Sequence, residues 1–240
     1  MRKYDLVCFD MDGVLTKVRS SWAWIHECLG TSDEEGYRAF CNGEIDEEEF
    51  MRRDISIWKS AKPSISQRDI AVLFRDMPLT GGIQETLASL RECGIKSVIV
   101  SGGIDLAAKM IAEEFGFDDY IADSLCADEN GFLTGEGKKN VDLSDKGALI
   151  PPFIERFGTV KERTASVGNS FTDIKMFEST GTSIAFNPTD PYTEEAATYS
   201  VRSDSLSDVL EYLLEEERFT RRRCHHRHRR RDRGRRTSSF

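Results

Sequence analysis

Short apolar runs alternate with helical periodicities along most of this chain. Asp5–Phe9 (DLVCF), Lys96–Val100 (KSVIV), Thr164–Val167 (TASV) and Ser183–Phe186 (SIAF) are brief runs rich in β-branched and aromatic residues. Runs of that length and composition read as buried strands. Tyr199–Val201 is a weaker candidate. Between them, apolar residues recur at helical spacing in Ile83–Cys93, Ile104–Phe115, Ala148–Phe157 and Leu206–Leu214, and Gly94 and Gly116 supply stop signals. Strands separated by single helices predict an α/β fold, a doubly wound parallel sheet with helices on both faces.

Two stretches break the alternation. From Ser20 to Met77 only helical signals occur: Trp22–Leu29, Asp33–Phe40, Asp46–Trp58 and Gln67–Phe74, punctuated by Gly30, Gly43 and Pro63. This predicts a small helical cap inserted after the first strand. In Ile121–Thr134 the turn Asp128-Glu129-Asn130-Gly131 separates two short runs, and Asn-Gly there predicts a β-hairpin. The expected division is a core of residues 1–18 and 78–217, a cap of 19–77 and a tail of 218–240.

Charge changes the picture at the C-terminal end. Of 33 basic and 42 acidic residues, 11 arginines and one aspartate lie in 218–240. The first 217 residues therefore hold 22 basic and 41 acidic side chains, a net −19 against +10 for the tail. So acidic a body disfavours nucleic acid as its partner. The tail lacks hydrophobic periodicity and repels itself, so it is expected to be disordered. An anionic partner suits it, and Cys224, His225, His226 and His228 within it match no structural zinc spacing. No apolar run approaches the roughly 20 residues of a membrane helix. The chain enters its first strand at once, which leaves no room for a signal peptide and predicts a cytoplasmic location. The six scattered cysteines form no C-x-x-C pair and read as reduced thiols.

Candidate chemistry lies where strands end. Asp10-Met11-Asp12-Gly13-Val14 places two carboxylates just past the first strand, where ligands bind in a parallel sheet. Hard oxygens of that kind suit Mg²⁺. Val100-Ser101-Gly102-Gly103 ends another strand with a hydroxyl and free backbone N–H groups, an anion site before a helix. Lys146, followed by Gly147, offers a compact positive charge. Gly168-Asn169-Ser170-Phe171-Thr172-Asp173 brings further oxygen donors at a third strand end. Each has an ordinary reading as a solvated turn, a helix cap or a surface charge. Together they assemble a nucleophile, a cation site and phosphate donors in one crevice, which phosphoryl transfer requires.

On these residues the chain resembles the haloacid dehalogenase superfamily, in its phosphoserine-phosphatase-like branch. Asp10–Val14 matches the first motif, Ser101 and Gly102 the second, Lys146 and Gly147 the third, and Gly168–Asp173 the fourth. The resemblance spans residues 5 to about 214, and the 91-residue separation of Asp10 and Ser101 leaves room for the cap. It implies a phosphomonoesterase in which Asp10 attacks phosphorus and Asp12 is the general acid and base. Ser101, Gly102 and Lys146 would hold the phosphoryl group. Mg²⁺ would sit on Asp10, the Asp12 carbonyl and the fourth motif, through Asn169 and Asp173. The implied substrate is a small phosphate ester, phosphoserine first among named candidates.

The departures from the pattern are specific. The fourth motif commonly reads Gly-Asp-Gly-x-Asn-Asp, and here Asn169 replaces the acidic ligand and Thr172 the Asn. Arg19 falls where the branch places an acid for the substrate amine. Its carboxylate-binding cap arginine falls near Asp54, with Arg52 and Arg53 just before it as the candidate contacts. Trp22, Trp24 and Trp58 read as core or lid packing. Two alternatives stay open: another phosphate ester, such as a sugar phosphate, or a catalytically weak binding protein, which the loss of charge at Asn169 favours.

Overall fold

The computed structural model describes residues 2–214; the expectations for the 218–240 tail lie outside them. Seven strands form one sheet: β1 (Leu6–Phe9), β2 (Lys96–Ile104), β3 (Asp119–Ala127), β4 (Leu133–Lys138), β5 (Thr164–Gly168), β6 (Thr182–Phe186) and β7 (Tyr199–Val201). Their spatial order is β4-β3-β2-β1-β5-β6-β7. Neighbours run parallel except β3 and β4, which are antiparallel.

β1 is central, with Leu6 paired to both Lys96 and Thr164. Leu6 and Cys8 face one apolar cluster with Val98, Val100, Ile150 and Met176. Val7 and Phe9 face the other, with Leu87, Leu90, Ile104 and Ile111. Both faces are covered, so the strand shows a continuous apolar run and no polar alternation.

The covering helices are α5 (Ile83–Glu92), α6 (Asp105–Phe115), α7 (Ile150–Phe157), α8 (Ile174–Glu178), α9 (Pro191–Ala196) and α10 (Leu210–Leu213). The helices expected from Ala148 and Leu206 begin as tight 3₁₀ turns, Lys146–Leu149 and Leu206–Val209.

Four helices intervene after β1: α1 (Ser21–Leu29), α2 (Glu34–Cys41), α3 (Glu47–Ala61) and α4 (Gln67–Leu73). The side chains of Ser20, Asp33, Asp46 and Ser66 cap them by accepting from backbone N–H groups, which fixes each start in the sequence. The chain leaves and re-enters the core through one stem. Lys17 N–H donates to Pro78 O at 2.8 Å and Thr80 N–H to Leu15 O at 2.9 Å.

Two findings differ from the sequence expectation. β2 runs on through Ser101-Gly102-Gly103, with a register break between Val100 and Ile104. Glycine's poor strand propensity conceals that extension. β3 is both a core strand and one arm of the hairpin: its first half pairs with β2, its second with β4. The hairpin also holds the cap. Leu133 N–H donates to Ile65 O and Gln67 N–H to Gly131 O, both at 3.0 Å, and Gln67 Nε2 reaches Leu125 O at 2.7 Å. The five described cysteines are unpaired. Among the described residues no helix is long and apolar enough to cross a membrane.

Candidate active site

The C-terminal ends of β1, β2 and β5 bring the expected residues together. Asp10 follows β1 and donates its N–H to Val167 O at 2.9 Å, which ties the first motif to β5. The next turn winds on the Met11 carbonyl, which accepts from Leu15 and Thr16 at 2.8 and 3.0 Å. Gly13 makes that turn at φ +77°, in the left-handed region. A Cβ there would also lie 2.1 Å from Asn169 Nδ2, so the Asn169 side chain packs directly on the first motif.

Lys146 is the hinge of the site. Its Nζ donates to Asp10 Oδ1 at 2.9 Å and to Asp173 Oδ1 at 2.8 Å. All three side chains are almost fully buried. Asp173, expected as a metal ligand, spends its other oxygen on the backbone N–H groups of Asn169 (2.8 Å) and Ser170 (3.1 Å). It therefore holds Lys146 and shapes the fourth-motif loop. Ser101 is buried, and its hydroxyl accepts from Gly103 N–H at 3.2 Å. Gly102 lies between the Leu143 side chain and Trp22, whose indole N–H donates to Gly102 O at 3.1 Å.

Asp10 and Asp173 thus share one ammonium group, whose charge also reaches Asp12. Burial, reinforced by the Asp173 charge, pushes Asp10 up to about 7 against the opposing pull of Lys146. Removal from water pushes Asp12 up to about 6, although bonds from Ser21 oppose the rise. Burial would lower Lys146, but Asp10 and Asp173 outweigh it and hold the ammonium charged. Excess negative charge among hard oxygens fits a divalent cation. Among the described residues no three His, Cys, Asp or Glu side chains converge on one point. The donor set that fits is mixed: a carboxylate, a main-chain carbonyl and the Asn169 amide.

The cap residues expected at the substrate have other partners in the structure. Arg53 forks onto Asp33, with both bonds at 3.0 Å. Arg52 lies beside Glu49 and Glu136, on a cavity of about 430 Å³ lined with Ser56, Lys59 and Thr134. Arg19 is exposed. Asp54 is buried on His26 Nε2 at 3.0 Å. Helical spacing explains the outcome: Met51, Ile55 and Trp58 turn inward, so Arg52 and Arg53 cannot. Trp24 donates to Leu73 O, and Trp58 is fully buried against Trp22, with centroids 5.5 Å apart.

Ser21, which bonds Asp12, is a participant the sequence reading did not name, and Trp22, expected as core or lid packing, reaches the site at Gly102. The only signal was their place at the start of the first cap helix.

Comparison with known proteins gives the family and the fold. The family model of haloacid dehalogenase-like hydrolases matches residues 7–178. Phosphoserine phosphatase of Archaeoglobus fulgidus is 29% identical over 88% of this chain, which spans 60% of that protein's length. Phosphoserine phosphatase of Methanocaldococcus jannaschii is 27% identical over 88% of this chain and 99% of its own length. A solved phospho-aspartyl intermediate analogue of phosphoserine phosphatase superposes with a TM-score of 0.75 at 27% identity, covering 88% of this chain and all of that one. With the fold, the four motif segments and the family match in agreement, the chain belongs to the haloacid dehalogenase-like hydrolases.

Proposed function

We propose that this protein hydrolyses phosphomonoesters of small metabolites through an aspartyl-phosphate on Asp10. The observation that carries this reading is Lys146 held between Asp10 and Asp173. The ammonium orients the Asp10 carboxylate and leaves it next to phosphate donors from Ser101 and Gly102. Asp10 attacks phosphorus, and Asp12 gives a proton to the departing ester oxygen. Asp12 then takes a proton from the water that cleaves the acyl phosphate.

Asp10, the Asp12 carbonyl, Asn169 and Asp173 are the residues that would hold Mg²⁺. Bound there, it offsets the charge of an anionic phosphate meeting a carboxylate.

The names of the relatives support phosphoserine as the leading substrate. A different phosphate ester is favoured by one observation: Arg53 is spent on Asp33, and Asp54, at the expected arginine position, is spent on His26.

The test is a panel of phosphorylated metabolites with Mg²⁺, run beside Asp10→Asn. Turnover of at least one substrate is expected, with loss of at least about 10³-fold in the variant. Equal turnover by the variant would sink the mechanism. No turnover on any substrate would favour a binding protein of the same fold.

A further inference from the structure

Ser21 is the first residue of α1 and is fully buried. Its backbone N–H donates to Asp12 Oδ2 at 2.8 Å, and its hydroxyl donates to the same oxygen at 2.9 Å. That hydroxyl also accepts from Ile104 N–H at 2.9 Å, at the last residue of β2. Three segments meet here: the first cap helix, the loop after β1, and the strand that carries Ser101 and Gly102.

The other oxygen, Asp12 Oδ1, is buried and has no hydrogen-bond partner among the described residues. A carboxyl group with two donors on one oxygen carries its proton on the other, because the engaged lone pairs already face hydrogens. The junction has no slack. A Cβ at Gly103 would lie 2.6 Å from Ser21 Oγ and 2.7 Å from Asp12 Oδ2.

We infer that Ser21 is a positioning residue: it fixes Asp12 Oδ2 and presents Oδ1 to the ester oxygen. This rests on the phosphomonoesterase reading above. Ser21 belongs to the cap and Asp12 to the core, so the acid–base group is assembled only when α1 is seated on β2. In the first step an Asp10 oxygen bonds to phosphorus, the ester P–O bond breaks, and the proton on Oδ1 passes to the departing oxygen. In the second, Oδ1 takes a proton from water as the water oxygen bonds to phosphorus. The P–O bond to Asp10 breaks, which returns Asp10 as a carboxylate, Asp12 as the acid, and inorganic phosphate.

The test compares two esters in wild type and Ser21→Ala. An alkyl phosphate such as glycerol 2-phosphate needs a proton on its leaving oxygen, whereas p-nitrophenyl phosphate has a leaving group that departs as the anion. In Ser21→Ala, kcat/KM for the alkyl ester should fall by at least about tenfold, and for the aryl ester by less than about threefold. A burst of p-nitrophenolate should appear, because hydrolysis of the intermediate still needs Oδ1 as base.

Gly103→Ala, which crowds the same junction with Ser21 intact, should show the same split. It serves if Ser21→Ala does not fold. An equal fall on both esters, or no fall on the alkyl ester, overturns the positioning role. If wild type and Asp10→Asn turn over neither ester, the phosphomonoesterase reading fails first and takes this inference with it.

Discussion

Burial governs Asp10, Asp12 and Asp123 more than their immediate partners do. Asp10 stands at about 7 even with Lys146 2.9 Å away. With Asp10 in the proposed ligand set, a cation must displace its proton, so Mg²⁺ should bind more tightly as pH rises through about 7. The increase in Tm on adding Mg²⁺ should be larger at pH 8 than at pH 6. Equal increases would remove Asp10 from the ligand set. Away from the site, burial pushes Asp123 up to about 6, although the backbone N–H groups of Asn140 and Val141 bond its Oδ1 at 2.7 and 2.9 Å. A folded value above the unfolded one, about 3.9, favours the protonated form on folding. The stability that Asp123 contributes is therefore complete below about pH 4 and lost as pH rises through about 6, on the order of 3 kcal/mol by pH 7. Asp123→Asn keeps the accepting oxygen and cannot ionise. It should melt higher than wild type at pH 7, by a few degrees, and alike at pH 4. A lower Tm at pH 7 would contradict this.

At the scale of elements, the cap is more than an appendage to the sheet. Trp22 bridges it to Gly102, and Trp58 backs Trp22. Trp58 is fully buried and its removal leaves a large cavity, so Trp58→Ala should cost about 3–5 kcal/mol in denaturant unfolding. A cost below about 1 kcal/mol would mean that the stack carries little of the packing. The cap helices were legible because Ser20, Asp33, Asp46 and Ser66 announce their starts. Their inward faces were less so. Arg52 and Arg53 lie beside the expected position in sequence, yet on a helix one residue turns a side chain by about 100°. The extension of β2 through two glycines was hidden for a related reason. Local propensity argued against a strand there, and only pairing of Ile104 with Asp123 on β3 makes one.

For the molecule as a whole, the periodic pattern carried the architecture a long way. Apolar runs with helices between them determined a parallel sheet with two covered faces, because no other arrangement buries both. The same reasoning placed Asp10, Ser101 and the fourth motif at strand ends, and hence in one crevice; Lys146, expected there too, instead enters it from the 3₁₀ turn Lys146–Leu149. The sequence also determined the contrast between an acidic body and an arginine-rich tail. Only the tertiary structure decided how those groups share their bonds. Lys146 lies 136 residues from Asp10 and 27 from Asp173, and nothing local to any of them says that one ammonium serves both carboxylates. Asp173, expected at a strand end as an oxygen donor, also bonds Lys146 and two backbone N–H groups of its own loop. Ser21 reads locally as a helix start, yet it fastens the cap to Asp12 and to β2. Periodicity reports which face of an element is buried; which side chains meet across elements is set by the packing of segments distant in the chain, and that is where the chemistry of Asp10 and Asp12 is arranged.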